Sequence, residues 1–350
     1  MRIRLRYVGI LLIVLTIIAF IVNIWLFALL IIIYILCVLG LITFVLLNKM
    51  LKLTNWWKNN FVFTKQFVSN EGYREDLHRN YDIVNVGSNP ARFAFHYDDV
   101  RGENWSTGTQ GLDMDLEILR YFHSYIKDGG YVLLPIVAFS SVSGYLEKDR
   151  PSHQYLAKFV TILDKIQCKY HPKLRNIGRY MQFPLYYNRK ALWYLINDQE
   201  PDKRLEMTDQ SMSMMDIEKD AAHWIKIWKE EFNIKDLNST LPDHLIEGRN
   251  KSIIMMRNII GFLKDRGYKP VIISPPMSDA LNSYFTEEIK NTYIYSFVEA
   301  LKDLNVSYLD YTSDEEFVKN EYYFNALFMN LKGRKLFTHR VLMDLGVIGE

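Results

Sequence analysis

The stretch Asp82-Ile83-Val84-Asn85-Val86-Gly87-Ser88-Asn89-Pro90 joins a short run rich in β-branched residues to a turn and a helix start. The apolar run suits a strand, Gly87 stops it, Asn89 is a good helix cap and Pro90 suits the first helical position. Three later runs repeat the pattern: Tyr131-Val132-Leu133-Leu134-Pro135-Ile136-Val137, Pro270-Val271-Ile272-Ile273-Ser274 and Val306-Ser307-Tyr308-Leu309-Asp310. Each reads as a strand buried on both faces. Between the first two, Leu112, Leu116, Leu119, His123 and Ile126 recur at three- and four-residue steps and stop at Gly129-Gly130. That spacing predicts an amphipathic helix with a glycine end. A second such helix is expected over Ile253 to Lys264, closed by Gly267. Strands alternating with helices call for right-handed βαβ crossovers, so the expected fold is α/β, a three-layer parallel sheet.

Residues from about 140 to 250 break this rhythm, being helical in pattern and dense in Tyr, Trp, Met and charge. They are expected to form a helical insertion over one sheet edge, as a lid, a partner surface or a stabilising cap. Met212, Met214, Met215, Met255 and Met256 are expected to fill a core, although methionines also suit an adaptable binding surface. The Tyr and Trp content of residues 180–230 suits either a helical core or stacking on sugar rings.

Composition changes sharply near residue 50. From Val8 to Leu47 there is no charged side chain in forty positions, about twice what one membrane crossing needs. A single helix of that length would reach about 60 Å, so two crossings, near 8–24 and 27–47, fit better than the alternative of one tilted helix with an apolar extension. Asn23-Ile24-Trp25 is the natural turn. Residues 1–52 are therefore expected to be a transmembrane hairpin. Arg2, Arg4 and Arg6 precede the apolar run, and Lys49, Lys52 and Lys58 follow it, which points both flanks and the main domain to the cytoplasm. Residues 53–80, with Trp56-Trp57-Lys58 and Phe61, Phe63 and Phe67, read as an interfacial connector or as the first helix of the main domain, 81–350.

The first 52 residues carry five of the 42 basic residues and none of the 40 acidic ones, leaving a net of minus three for the rest. No nucleic-acid footprint fits that balance. Cys37 lies in the apolar run and Cys168 is alone in the main domain, so no internal disulfide can form there. Metal-ligand spacings, a phosphate loop and a dinucleotide glycine fingerprint are all lacking, so no cofactor is expected. Asp113, Asp115 and Glu117 step by two along the Leu112 helix and are expected to be a solvated helix start.

In open parallel sheets, ligands bind where strand carboxyl ends meet helix amino ends. Ser88 stands there, at a glycine turn whose helix N–H groups could stabilise an oxyanion, although cap chemistry alone also explains the turn.

The order of these pieces resembles the SGNH (GDSL-like) hydrolase superfamily. The resemblance is to its membrane-anchored branch, which includes the D-alanine transfer protein of teichoic acid synthesis. It rests on Asn85-Val86-Gly87-Ser88, on Asn104-Trp105-Ser106-Thr107-Gly108, and on the run Tyr323-Phe324-Asn325-Ala326-Leu327-Phe328-Met329-Asn330-Leu331-Lys332-Gly333. It covers roughly residues 80–140 and 268–345. The resemblance implies a flavodoxin-like sheet, Ser88 as nucleophile, and the N–H groups of Ser88 and Gly108 as oxyanion donors. In the family the last run carries Asp-x-x-His before a Leu-Asn-x-x-Gly tail. Here Asn330 and Gly333 fit the tail, while the aspartate position is Asn325 and the histidine position is Phe328. Phenylalanine accepts no proton, so an active Ser88 would need a substitute base, for which His96 and His339 are the candidates.

Two functions follow from the resemblance. One is an esterase or acyltransferase acting on an acylated cell-envelope polysaccharide or its lipid-linked precursor. The other is a catalytically inactive binding or scaffold protein in envelope-polymer assembly. In both, the expected partners are the lipid bilayer, a polysaccharide or lipid-linked glycan, and a membrane protein. Relatives in polymer acylation commonly work outside the membrane, which sets an extracytoplasmic alternative against the charge pattern.

Overall fold

The computed structural model describes residues 2–22, 24–61, 68–69, 72–73, 80–106, 108, 110–148, 182–200 and 208–349. The chain divides into two compact units, Met1–Asn59 with Arg179–Pro201, and Asn60–Gly178 with Asp202–Glu350.

In the first unit, α1 (Arg2–Val22) and α2 (Ile24–Leu51) carry the apolar run, and Phe20 packs edge-on against Phe27 at 4.9 Å. Both helices run longer than the apolar stretch alone predicts. α2 is long and apolar enough to cross a membrane, whereas α1 holds a shorter apolar stretch, Gly9–Ile18. Asn23, the expected turn, lies outside the described residues. α3 (Asn55–Phe61) follows. Its indoles are not spread on a surface, since Trp56 and Trp57 are both buried. The expected connector is thus divided: Asn55–Asn59 belong to this unit. The two-residue strands β1 (Val68–Ser69) and β2 (Gly72–Tyr73), an antiparallel pair, belong to the other. Most of the remaining connector lies outside the described residues.

The second unit is α/β. Its strands β3 (Tyr81–Asn85), β4 (Gly102–Asn104), β5 (Ile126–Pro135), β6 (Lys269–Ser274) and β7 (Ser307–Asp310) form one sheet in the order β4-β3-β5-β6-β7, parallel throughout. Helices cover both faces, which gives the three expected layers. Ile83, Leu133, Val271 and Ile273 share a core with α7 (Met214–Glu231) and the last helix, α9 (Leu331–Asp344). Their neighbours Val84, Val132, Leu134 and Ile272 point the other way along the pleat and are also buried. α5 (Leu112–Phe122) and α8 (Asp243–Lys264) pack on one another, and α8 also packs on β6. The remaining labels are α4 (Asn89–Arg92), after β3, and α6 (Pro184–Tyr187), in the first unit.

Three features depart from the sequence reading. The fifth strand, β4, has no apolar run to announce it. It exists because Gly102, Glu103 and Asn104 pair with Ile83, Val84 and Asn85. β7 is an edge strand and only half-buried, not enclosed on both faces. α5 ends at Phe122, and Gly129-Gly130 lie within β5, where Tyr81 pairs with Ile126 but Ile83 pairs with Tyr131. The glycines therefore serve a bulge, not a helix stop.

The expected insertion is only partly one body. Ser140–Lys148 forms a 3-10 segment in the second unit and α7 packs into its core, but Arg179–Pro201 belongs to the first unit. Residues 149–181 and 201–207, with His153, His171 and Cys168, lie outside the described residues. Met256 is buried, but Met214 and Met215 are exposed, so the methionines are not a common core.

Candidate functional site

The chain leaves β3 for β4 on one side and later builds β5 on the other, so the sheet order reverses at β3. A crevice opens at such a switch point, beyond the strand's carboxyl end. Gly87 stands there with φ +120°, backbone that side chains rarely adopt, and a Cβ on it would lie 3.0 Å from Ala91 Cβ. Its N–H donates to Asp115 Oδ1 at 3.1 Å. Ser88, not Asn89, is the residue before the first helical turn of α4, and Pro90 falls at the second helical position. The Ser88 hydroxyl makes no capping bond.

Below this turn the polar groups are buried and mutually bonded. Asn85 donates through Nδ2 to Asn104 Oδ1 at 2.8 Å and to Ser106 Oγ at 2.6 Å, while its Oδ1 accepts from the Tyr97 hydroxyl at 3.0 Å. Asn104 Nδ2 in turn donates to the carbonyls of Arg92 and Phe95, both at 3.1 Å, tying the end of β4 to the end of α4. Gln110 Nε2 donates to the Trp105 carbonyl at 3.1 Å and to Asp115 Oδ1 at 2.7 Å. Burial, with Glu103 adding to it, pushes the Tyr97 phenol well above its ordinary range, so it stays a donor. Asp115 is buried and joins α5 to the Ser88 turn, which corrects the expected solvated helix start. The signal was its spacing: Asp115 precedes Ile118, Leu119 and Phe122 by three, four and seven positions, all on the buried face of α5.

Gly108, the expected second oxyanion donor, is buried in the turn between β4 and α5. Since Asn85 and Asn104 are register partners in parallel strands, that turn and Ser88 leave the same edge of the sheet. Thr107 and Thr109 lie outside the described residues.

The carboxyl-terminal run is packed tightly. Asn325 Oδ1 accepts the N–H groups of Leu327 at 3.0 Å and Phe328 at 2.7 Å, a local Asx turn. Phe328 is buried, its ring 4.6 Å from Phe93, 5.5 Å from Trp224 and 5.9 Å from Phe324 between centroids. Phe93 follows α4, so the position expected for the base does approach the helix that Ser88 begins, with an apolar ring in place of an imidazole. Asp220 of α7 clamps the same loop, accepting the Ala326 N–H at 2.9 Å and the Trp224 indole N–H at 3.1 Å. The Asn330–Gly333 run has a structural role: Asn330 caps α9 by accepting the Gly333 N–H at 2.9 Å. A Cβ on Gly333 would meet the Tyr322 carbonyl oxygen at 2.5 Å, which only a backbone shift could relieve.

The two candidate substitute bases sit together on acidic partners. His96 Nε2 lies 3.0 Å from Asp98 Oδ1, and its backbone N–H donates to Thr338 Oγ1 at 2.8 Å. His339 Nδ1 lies 2.9 Å from Asp99 Oδ2, and Lys335 Nζ lies 2.6 Å from Asp98 Oδ2. His123 is paired with Tyr268 and His244 with the Phe232 carbonyl. Among the described residues no histidine is bonded to Ser88; His78, His153 and His171 lie outside them.

Burial lowers the pKa of His96, the Arg334 guanidinium adds to this, and Asp98 opposes it. The folded chain therefore holds that proton less tightly than the unfolded chain, so the contribution of neutral His96 is complete above the ordinary value of about 6.5. It is lost as pH falls through the lower folded value. Comparing melting temperatures at pH about 7.5 and about 5.5 is expected to show an acid-side loss that His96→Gln reduces. An equal loss in both proteins would assign the effect to other groups.

No group of three or more His, Cys, Asp or Glu side chains is placed to hold a metal ion among the described residues. No family model and no curated protein matches the sequence. Among solved structures, the X-ray structure of the protein YXIM from Bacillus subtilis is similar at 13% identity and a TM-score of 0.38, over 78% of this chain. The chain spans 59% of that protein's length.

Proposed function

We propose that the chain is a membrane-anchored, catalytically silent module of SGNH type. It acts as a binding or scaffold protein in envelope-polymer assembly, with a polysaccharide or lipid-linked glycan and a membrane protein as its ligands. The observation that carries this reading is the use made of Asn325 and Phe328. The Asn325 side-chain carbonyl is taken by two backbone N–H groups, and the Phe328 ring is enclosed by Phe93, Phe324 and Trp224. Neither can take a proton from Ser88, and an unactivated hydroxyl is a poor nucleophile. The Asn330–Gly333 tail keeps the part of the motif that shapes the chain. Failure of Ser88 to react with a fluorophosphonate is the expected result that tests this reading.

A second reading, an esterase or acyltransferase using Ser88 with the Ser88 and Gly108 amides as oxyanion donors, is favoured by one observation. The Gly87 turn, held by Asp115, sets Ser88 at the switch point of the sheet.

In this account α1 and α2 form a membrane hairpin with both basic flanks in the cytoplasm, and the α/β unit is cytoplasmic. With Cys37 and Cys168 replaced by serine, Asn238→Cys is expected to be protected from a membrane-impermeant thiol reagent in intact cells. Labelling would put the unit on the outer face.

A further inference from the structure

A segment distant in sequence is built onto the end of α2. Leu185 donates its N–H to Asn48 Oδ1 at 2.9 Å, and Phe183 stacks on Phe44 at 5.8 Å. Asn48 and Phe44 lie in the last two turns of α2, where the apolar run gives way to Lys49 and Lys52. Farther on, Asp198 caps α3, accepting the Asn55 N–H at 2.7 Å and the Trp56 N–H at 3.0 Å, and Tyr194 stacks on Trp56 at 4.9 Å. Burial raises the Asp198 carboxyl, but the N–H groups of Trp56, Asn55 and Gln199 outweigh it and hold the group below its usual range. The segment is therefore pinned at both ends.

Between the pins several large apolar side chains are exposed. Ile196 is 84% exposed, Tyr186 71% and Trp193 60%; Leu53, in the turn after α2, is 73% exposed. Arg189 and Lys190 are exposed beside them. Exposed aromatic and aliphatic residues mixed with cations, on a short helical segment, are what the headgroup boundary of a bilayer accommodates. Attachment to the last turns of α2 puts them at that depth.

We propose that Phe183–Ile196 is an interfacial membrane segment. It immerses Tyr186, Trp193 and Ile196, with Leu53, in the headgroup layer at the carboxyl end of α2 and sets Arg189 and Lys190 among anionic lipid headgroups. This rests on the reading of α2 as a membrane span. Its consequence is that the chain meets one leaflet at two points about 130 residues apart in sequence.

The test is spin-label accessibility in the full-length chain, carrying serine at positions 37 and 168, in nanodiscs containing phosphatidylglycerol. Labels are placed singly by Leu36→Cys, Trp193→Cys and Ile196→Cys. The expected result is loss of broadening by a water-soluble nickel chelate, with strong broadening by oxygen, at all three positions. Lipid exposure at 36 with nickel broadening at 193 and 196 would overturn the interfacial segment, leave the span intact and favour a protein partner for that face. Nickel broadening at 36 would overturn the span itself. Each singly labelled chain must keep the melting transition of the unlabelled chain, so that loss of the fold is not mistaken for exposure to water.

Discussion

Truncating Phe328 to alanine is expected to destabilise the α/β unit by about 3–5 kcal/mol, the range for deleting a well-packed buried phenylalanine. The ring touches Phe93 after α4, Trp224 on α7 and Phe324 within its own loop, so its loss opens a cavity where three segments meet. Asn325→Asp is expected to be nearly neutral, because a carboxylate oxygen can accept the same two N–H groups. Thermal melting of the two full-length variants in detergent checks the contrast. A Phe328→Ala protein as stable as the parent would show that the ring is not a packing element, and would remove the structural explanation for its place in the motif.

Asn85→Leu is expected to cost about 3 kcal/mol or more, despite its similar size. Leucine would leave the buried Tyr97 hydroxyl without its acceptor and take a donor from Asn104 Oδ1 and Ser106 Oγ, all beneath the Ser88 turn. An unsatisfied buried polar group costs about 1–3 kcal/mol, and the low dielectric there makes the loss greater than that of a surface bond. The matched variant Asn85→Leu with Tyr97→Phe is expected to recover part of the loss, because the orphaned hydroxyl goes with its acceptor. Recovery would be read as a raised melting temperature relative to Asn85→Leu alone; no recovery would place the cost elsewhere.

The parallel sheet was legible because its four longer strands fall in short apolar runs set between helical stretches, and Ser88 was legible as a switch-point residue because Gly87 follows the first of them. β4 was not legible, since Gly102, Glu103 and Asn104 have no apolar pattern and become a strand only by pairing with β3. Gly129-Gly130 read as a helix stop because a double glycine serves equally well in a bulge; the choice is made by the register of β5 on β3. Asp115 was missed because acidic residues in the first turn of a helix usually face water, and the buried face was given by Ile118, Leu119 and Phe122. The place of residues 182–200 could not be read locally, because Asn48, Asn55 and Trp56, which fix it, lie more than a hundred positions away. That Asn325 and Phe328 stand where the resembled family carries aspartate and histidine was visible in sequence, but their use in a turn and an aromatic cluster belongs to the packing.

Intact-mass measurement of the full-length protein after exposure to a fluorophosphonate, with Ser88→Ala as control, tests the central claim most directly. A serine without a base is expected to give no adduct in either protein while the parent retains its melting transition. An adduct on the parent that is lost in Ser88→Ala would show an activated serine, contradict the catalytically silent reading, and require a base from outside the Asn325–Phe328 loop.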